Sequence, residues 1–183
     1  MDNIYIRKVK EGDVEAFRYF IRTYQHMAFS VAISVVKDEF LAEEVVQEAF
    51  MNAFQKIAGF KGQSKFSTWL YRIIVNLAFR KLEKEKKWQN DSMDVVEEVE
   101  PTTALDQLHD DERKHYINEA LKMMPPNESL ALRLFYLEEL SMEEVIGVTG
   151  WSLSNVKVTL HRARKRFYAV LNTLLENEVK MIV

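Results

Sequence analysis

A chain of 183 residues with 48% hydrophobic and 29% charged side chains has the apolar content for one packed domain or two small ones, at a net charge of only −3. The absence of cysteine excludes disulfides and thiolate-held metals and permits a reducing compartment. No apolar run reaches the length of a membrane span and MDNIYIRKVKEGD lacks the apolar core of a secretory signal, so a cytoplasmic location is expected.

Five glycines and three prolines are few breakers, which favours long helices. Gly12 closes a short first helix, and Asp13 is placed to cap the next. That second helix is predicted over about 14–36, with Phe17, Phe20, Ile21, Tyr24, Ala28, Val31, Ala32 and Val35 inward. The clearest periodicity follows: Ala42, Val45, Val46, Ala49, Phe50, Ala53, Phe54 and Ile57 keep helical spacing without a miss. The opposite face holds Glu43, Glu44, Gln47, Glu48, Asn52 and Gln55, with no Lys or Arg until Lys56, and so suits a basic protein partner rather than DNA.

Residues 59–67 read as a turn-rich break. Ser67 or Thr68 is expected to cap a further helix with Trp69, Leu70, Ile73, Ile74, Leu77, Ala78 and Leu82 on one side. Residues 56–87 hold nine Lys/Arg against two Glu, interleaved with aromatic rings. Cations with exposed rings suit single-stranded nucleic acid, where bases stack and phosphates meet positive charge. Trp69 lies on the apolar side and reads as core. The loop residues Phe60, Lys61, Gln63, Ser64, Lys65 and Phe66 are the better candidates, because loops leave rings and amides free.

Residues 89–112 contain nine Asp/Glu and no Lys/Arg, and 89–106 reads as an exposed acidic linker. Tyr116, Ile117, Ala120, Leu121 and Met124 make the next helix, stopped at Pro125 and Pro126. Asn127 or Ser129 starts another, with Leu130, Leu132, Leu134, Phe135 and Leu137 apolar. Ser141 and Glu144 have capping-box spacing, Thr149-Gly150-Trp151 supplies a turn, and Ser152 can cap the last helix. No strand signal competes. The expected fold is all-α, two helical bundles spanning 1–88 and 107–183.

The final helix-turn-helix carries five Lys/Arg and no Asp/Glu between Trp151 and Phe167. Leu153, Val156, Leu160, Ala163 and Phe167 cluster on one side; Ser154, Lys157, Val158, His161, Arg162 and Lys165 cluster on the other. A helix anchored on one side that offers short polar and cationic groups on the other fits the major groove. A merely solvated charged face would carry acidic partners at i,i+4, and this one has none.

Three blocks together resemble a bacterial sigma factor of the extracytoplasmic-function group. AEEVVQEAF, residues 42–50, resembles the core-polymerase-binding helix. FKGQSKFSTWLYRIIVNLAFR, residues 60–80, resembles the segment that melts and reads the minus-ten promoter element, and 141–167 resembles the reader of the minus-thirty-five element. The resemblance implies a protein that directs promoter-specific initiation by docking on a coiled coil of the polymerase's largest subunit. Glu43, Glu44, Gln47, Glu48 and Met51 would make that contact. Phe60, Lys61, Gln63, Ser64, Lys65, Phe66, Arg72, Asn76 and Arg80 would take up the melted strand, with Asn76 and the loop forming a pocket for a flipped base. Ser154, Asn155, Lys157, Val158, His161, Arg162 and Lys165 would read the upstream duplex. An anti-sigma factor, typically clamped between the bundles, is a further partner that the resemblance brings.

No catalytic, cofactor or metal site is expected. The four histidines are dispersed without metal spacing, and no glycine-rich phosphate loop occurs. The competing reading is a stand-alone helix-turn-helix regulator that binds duplex DNA without a polymerase.

Overall fold

The computed structural model describes residues 1–86 and 110–182. The described residues are helical, without a strand. Helix α1 spans Asp2–Lys10. A 3₁₀ turn at Val14–Phe17 leads into α2 (Arg18–Val36), followed by α3 (Glu39–Lys56) and α4 (Phe66–Lys86). Then come α5 (Asp110–Met123), α6 (Pro126–Leu132), a π turn (Arg133–Leu137), α7 (Met142–Thr149) and α8 (Leu153–Ile182). The acidic linker expected at 89–106 lies outside the described residues.

Local chemistry explains most boundaries. Asp13 Oδ1 accepts the Ala16 N–H at 3.1 Å, and Asp38 Oδ1 accepts that of Leu41 at 2.8 Å. Two starts differ from the sequence expectation. Pro126 opens α6, because a proline at the first helical position gives up no intrahelical bond. Ser129 is buried inside α6 and its hydroxyl donates to the Leu121 carbonyl at 2.8 Å. Helix α4 begins at Phe66, with the Trp69 N–H reaching the Lys65 carbonyl at 3.2 Å. Ser67 and Thr68 therefore sit within the first turn and cap nothing.

Helices α2, α3 and α4 pack around Phe20, Val31, Val35, Val45, Leu70 and Ile74, all buried. Leu130, Leu134, Val145, Val148, Val156 and Leu160 fill the second bundle. The two cores are one continuous apolar cluster, with α2 against α6 and α4 against α7. The C-terminal half of α2 makes this possible: Ile33, Ser34 and Val36 are buried along with Val31, Ala32 and Val35. A helix covered all round has neighbours on both sides, and α2 has α3 and α4 on one and α6 on the other.

Polar ties cross the same seam. The Tyr71 hydroxyl donates to Glu138 Oε2 at 2.6 Å, Lys37 Nζ donates to the Leu121 carbonyl at 2.6 Å, and Lys122 Nζ lies 3.4 Å from Glu39 Oε1. Lys37 ends α2 in the left-handed region, φ 63°, where glycine is usual. Burial first, and the nearby Arg133 charge second, bring its pKa down to about 7. The unfolded chain holds that proton up to its ordinary value of 10.5. Unfolded protein therefore binds more protons than native protein between these values, and the native state gains stability as pH rises from about 7. Urea midpoints at pH 7 and pH 9 are expected to rise more for wild type than for Lys37→Met; equal rises would show that Lys37 keeps its proton.

Candidate nucleic-acid interface

The helix-turn-helix is built by local hydrogen bonds. Ser141 and Glu144 close a reciprocal capping box, Glu144 N–H to Ser141 Oγ at 3.2 Å and Ser141 N–H to Glu144 Oε2 at 3.0 Å. Gly150 takes φ 73° at the end of α7, and the Thr149 hydroxyl accepts the Trp151 N–H at 3.2 Å. Ser152 Oγ accepts the Asn155 N–H at 3.2 Å and starts α8. Val156, Leu160 and Ala163 then anchor α8 on Val145 and Val148.

All seven residues expected to face the groove are exposed: Ser154, Asn155, Lys157, Val158, His161, Arg162 and Lys165. Leu153, expected on the anchored side, is exposed, because α8 begins there before its apolar stripe meets α7. Some of the cations are tied to other elements. Arg166 Nε donates to Glu128 Oε2 at 2.7 Å, and Arg164 donates to the Tyr136 hydroxyl at 3.2 Å.

The second basic surface surrounds a pocket of about 490 Å³ whose wall includes Lys61, Gln63, Ser64, Trp69 and Arg72. Arg72, Asn76 and Arg80 stand exposed at i, i+4 and i+8 on α4, a single stripe leading away from the pocket. Phe60 and Phe66 do not serve as stacking platforms. They are 8% and 2% exposed, because the loop turns its rings inward. Phe66 lies 4.1 Å from Phe20 and 5.5 Å from Trp69 between ring centroids, and Phe60 lies 5.1 Å from Trp69. Trp69, expected as core, is half-buried and reaches the pocket wall. Its place one turn before Arg72 was the signal available.

The pocket has a contribution from the other bundle, since Gly147 of α7 completes its wall. Beside it the Thr68 hydroxyl donates to Glu144 Oε1 at 3.3 Å, and Lys65 Nζ is 4.0 Å from the same oxygen. The Ser141 N–H is the main cause that holds the Glu144 carboxyl below its ordinary value, with Lys65 and Thr68 adding to it.

On α3, Glu43, Gln47, Glu48 and Met51 are exposed, Met51 at 64%. Glu44 differs: it is half-buried and paired with Lys81 of α4. Gln47 and Met51 border an apolar groove of about 660 Å³ between α2 and α3, with Ile21, Val46 and Phe54 in its floor. Ile21 and Phe54, expected inward, are 38% and 37% exposed there, since each sits at the margin of its helix's apolar stripe.

The sigma-70 region 2 family model matches residues 20–88, and that of sigma-70 region 4 matches residues 114–167. The RNA polymerase sigma-H factor of Pseudomonas aeruginosa is 30% identical, over 95% of this chain and 95% of its own. The ECF RNA polymerase sigma factor SigW of Bacillus subtilis is 29% identical, over 92% of this chain and 96% of its own. The chain belongs to the extracytoplasmic-function sigma factors. A sigma factor binds core RNA polymerase and directs initiation at specific promoters, so polymerase and promoter DNA are its partners. The solved sigma factor RpoE of Bartonella quintana, in complex with the anti-sigma factor NepR, shares the fold with a TM-score of 0.66. It is 22% identical and the likeness covers 87% of this chain and 98% of that one. In this sigma factor the region 2 match ends beyond α4 and the region 4 match runs from α5 into α8, so each match takes in one of the two basic surfaces.

Proposed function

We propose that this sigma factor works by binding without chemistry, in three contacts made by separate surfaces. The exposed face of α3 with its apolar groove docks on a basic protein surface of core polymerase. The α8 face from Ser154 to Lys165 enters the upstream major groove. The pocket at Trp69 and Arg72, continued by Asn76 and Arg80, receives unpaired bases of the melted strand. The domain division is 1–88 for docking and melting, 89–106 for the linker and 107–183 for the upstream element. The protein is cytoplasmic and joins the nucleoid with the polymerase.

The observation that carries this reading is the coexistence of two different cationic surfaces: an exposed helix face, and a recessed pocket walled by a half-exposed indole and a guanidinium. The first suits stacked pairs and the second suits a base out of the stack. Free protein keeps them in one closed arrangement, in which Gly147 and Glu144 of α7 border the base pocket. Docking on polymerase separates the bundles, a step that costs the Tyr71–Glu138 and Lys37–Leu121 bonds and part of the shared core. The Bartonella quintana relative is held by an anti-sigma factor; one that binds this chain would compete with that step.

The test is run-off transcription with core enzyme on fragments of the source genome. Added protein is expected to produce discrete transcripts, and Arg162→Ala to lose them at promoters that depend on an upstream element while keeping core affinity. Binding of the isolated chain to one promoter at physiological salt, without any transcript from core enzyme, would favour the stand-alone regulator. For docking, Gln47→Ala or Glu48→Ala is expected to weaken core binding by roughly 2- to 10-fold, the net worth of one hydrogen bond, with unchanged thermal stability. Wild-type affinity in both would remove this face from the interface.

A further inference from the structure

Helix α1 lies before the sigma-70 region 2 match, which begins at residue 20, and none of the three contacts uses it. It packs on the 3₁₀ turn Ile57–Gly59, the segment that delivers the chain to the base pocket. Ile6, its buried residue, shares an apolar cluster with Ile57. The pocket wall takes Gly59, Phe60, Lys61, Gln63 and Ser64 from this stretch. Among the described residues, no N–H of 61–64 meets a backbone carbonyl, so this wall is held at its edges.

Two polar ties join α1 to those edges. At its C-terminal end, Lys10 Nζ donates to the Phe60 carbonyl at 2.6 Å, a separation of 50 residues. Phe60 leaves the turn with extended backbone, ψ 114°, so its carbonyl needs a donor from elsewhere. At the N-terminal end, Asp2 accepts the hydroxyls of Tyr19 at 2.9 Å and Tyr24 at 2.6 Å, both on α2. Tyr5 stacks on Tyr19 with ring centroids 3.9 Å apart, and the Tyr24 ring lies 5.6 Å from that of Phe66, where the loop ends. Burial first, and the bond to Asp2 second, raise the Tyr24 hydroxyl well above its ordinary value, so it stays a donor. Phe60 and Phe66 meet edge to face at 6.1 Å, and both lie against Trp69. Lys10 itself is exposed, so its bond adds little to global stability; its place at the entry to the loop is what gives it an effect.

We propose that Lys10 is a positioning residue for strand capture: it holds the Phe60 edge of the pocket in the shape that receives a base, and α1 is the brace that carries it. A loop already held in its bound shape loses less freedom when a base enters, so the tie raises affinity for the melted strand without touching it. That consequence rests on the function proposed above; the bracing of the loop does not.

Lys10→Met is compared with wild type and with Lys10→Arg, each shown to be folded by circular dichroism. In the full chain, hydrogen exchange is followed by NMR at the Phe60 and Trp69 amides, which bond to the Ile57 and Lys65 carbonyls at the two edges of the loop. Lys10→Met is expected to speed both by about 2- to 10-fold, the net worth of one hydrogen bond. The Val156 amide of α8 is expected to keep its rate, and Lys10→Arg to restore the loop, because it retains a cationic donor. Wild-type exchange at Phe60 and Trp69 in Lys10→Met, or an equal rise at Val156, would overturn the proposal. Holoenzyme is then titrated onto a promoter fragment already unpaired across the minus-ten element, with 2-aminopurine in the unpaired strand. Lys10→Met is expected to need about 2- to 10-fold more holoenzyme for half of the fluorescence rise, at unchanged affinity for core. A titration equal to that of wild type would overturn the positioning role. If wild-type holoenzyme gives no rise, the pocket reading fails, while the exchange rates still decide the brace.

Discussion

Phe20→Ala is expected to cost about 3–5 kcal/mol of folding stability, the range for truncating a fully buried aromatic ring. The residue has no exposed surface, and its ring meets those of Phe17 at 5.6 Å, Tyr19 at 5.2 Å and Phe66 at 4.1 Å. Because native stability is of order 5–15 kcal/mol in total, a loss of this size is a large fraction of it. The effect should reach beyond the core. Phe66 is the residue on which the loop turns, and with Phe20 gone the ring cluster that seats Phe60, Phe66 and Trp69 loses its floor. Urea unfolding followed by far-ultraviolet circular dichroism measures the loss. A value under about 1 kcal/mol would mean the cavity collapses at little cost and the loop is held by something else.

The helices and the exposed face of α8 were legible because their signals are local. The spacing from Ala42 to Ile57 places α3, and Ser141, Glu144, Gly150 and Ser152 place the helix-turn-helix within a few residues. The loop misled because ring exposure was inferred from chain position. Phe60 and Phe66 are loop-end residues, yet α2 offers Phe20 and Tyr24 as partners, and burial of a ring outweighs the preference of loops for the surface. The seam between the bundles was not legible, since its bonds join Tyr71 to Glu138 and Lys37 to Leu121, separations of 67 and 84 residues. Two local signs of it were present in the sequence. One is the apolar run VAISVV, broken only by Ser34, which a one-sided amphipathic helix does not need. The other is Arg133 alone among leucines and aromatics, a charge that must find partners or remain costly.

Replacing Arg72 and Asn76 together by alanine is expected to lower transcription from a duplex promoter on the order of 100-fold, the combined worth of a charged hydrogen bond and one base contact. Both side chains are exposed, so stability should change by no more than about 0.5 kcal/mol, which separates this result from that of Phe20→Ala. Core binding should also hold, because α3 and its groove lie on another face. A template already unpaired across the minus-ten element divides the remaining possibilities. It removes the cost of unstacking but not the loss of contacts to the strand, so partial recovery is the expected outcome. Full recovery would assign the pair to opening the duplex alone, and no recovery to holding the strand alone. Wild-type transcription on the duplex promoter would deny the stripe any part in initiation. The pocket beside it, walled in part by Gly147, would then belong only to the closed state, as a feature of how α7 packs on α4.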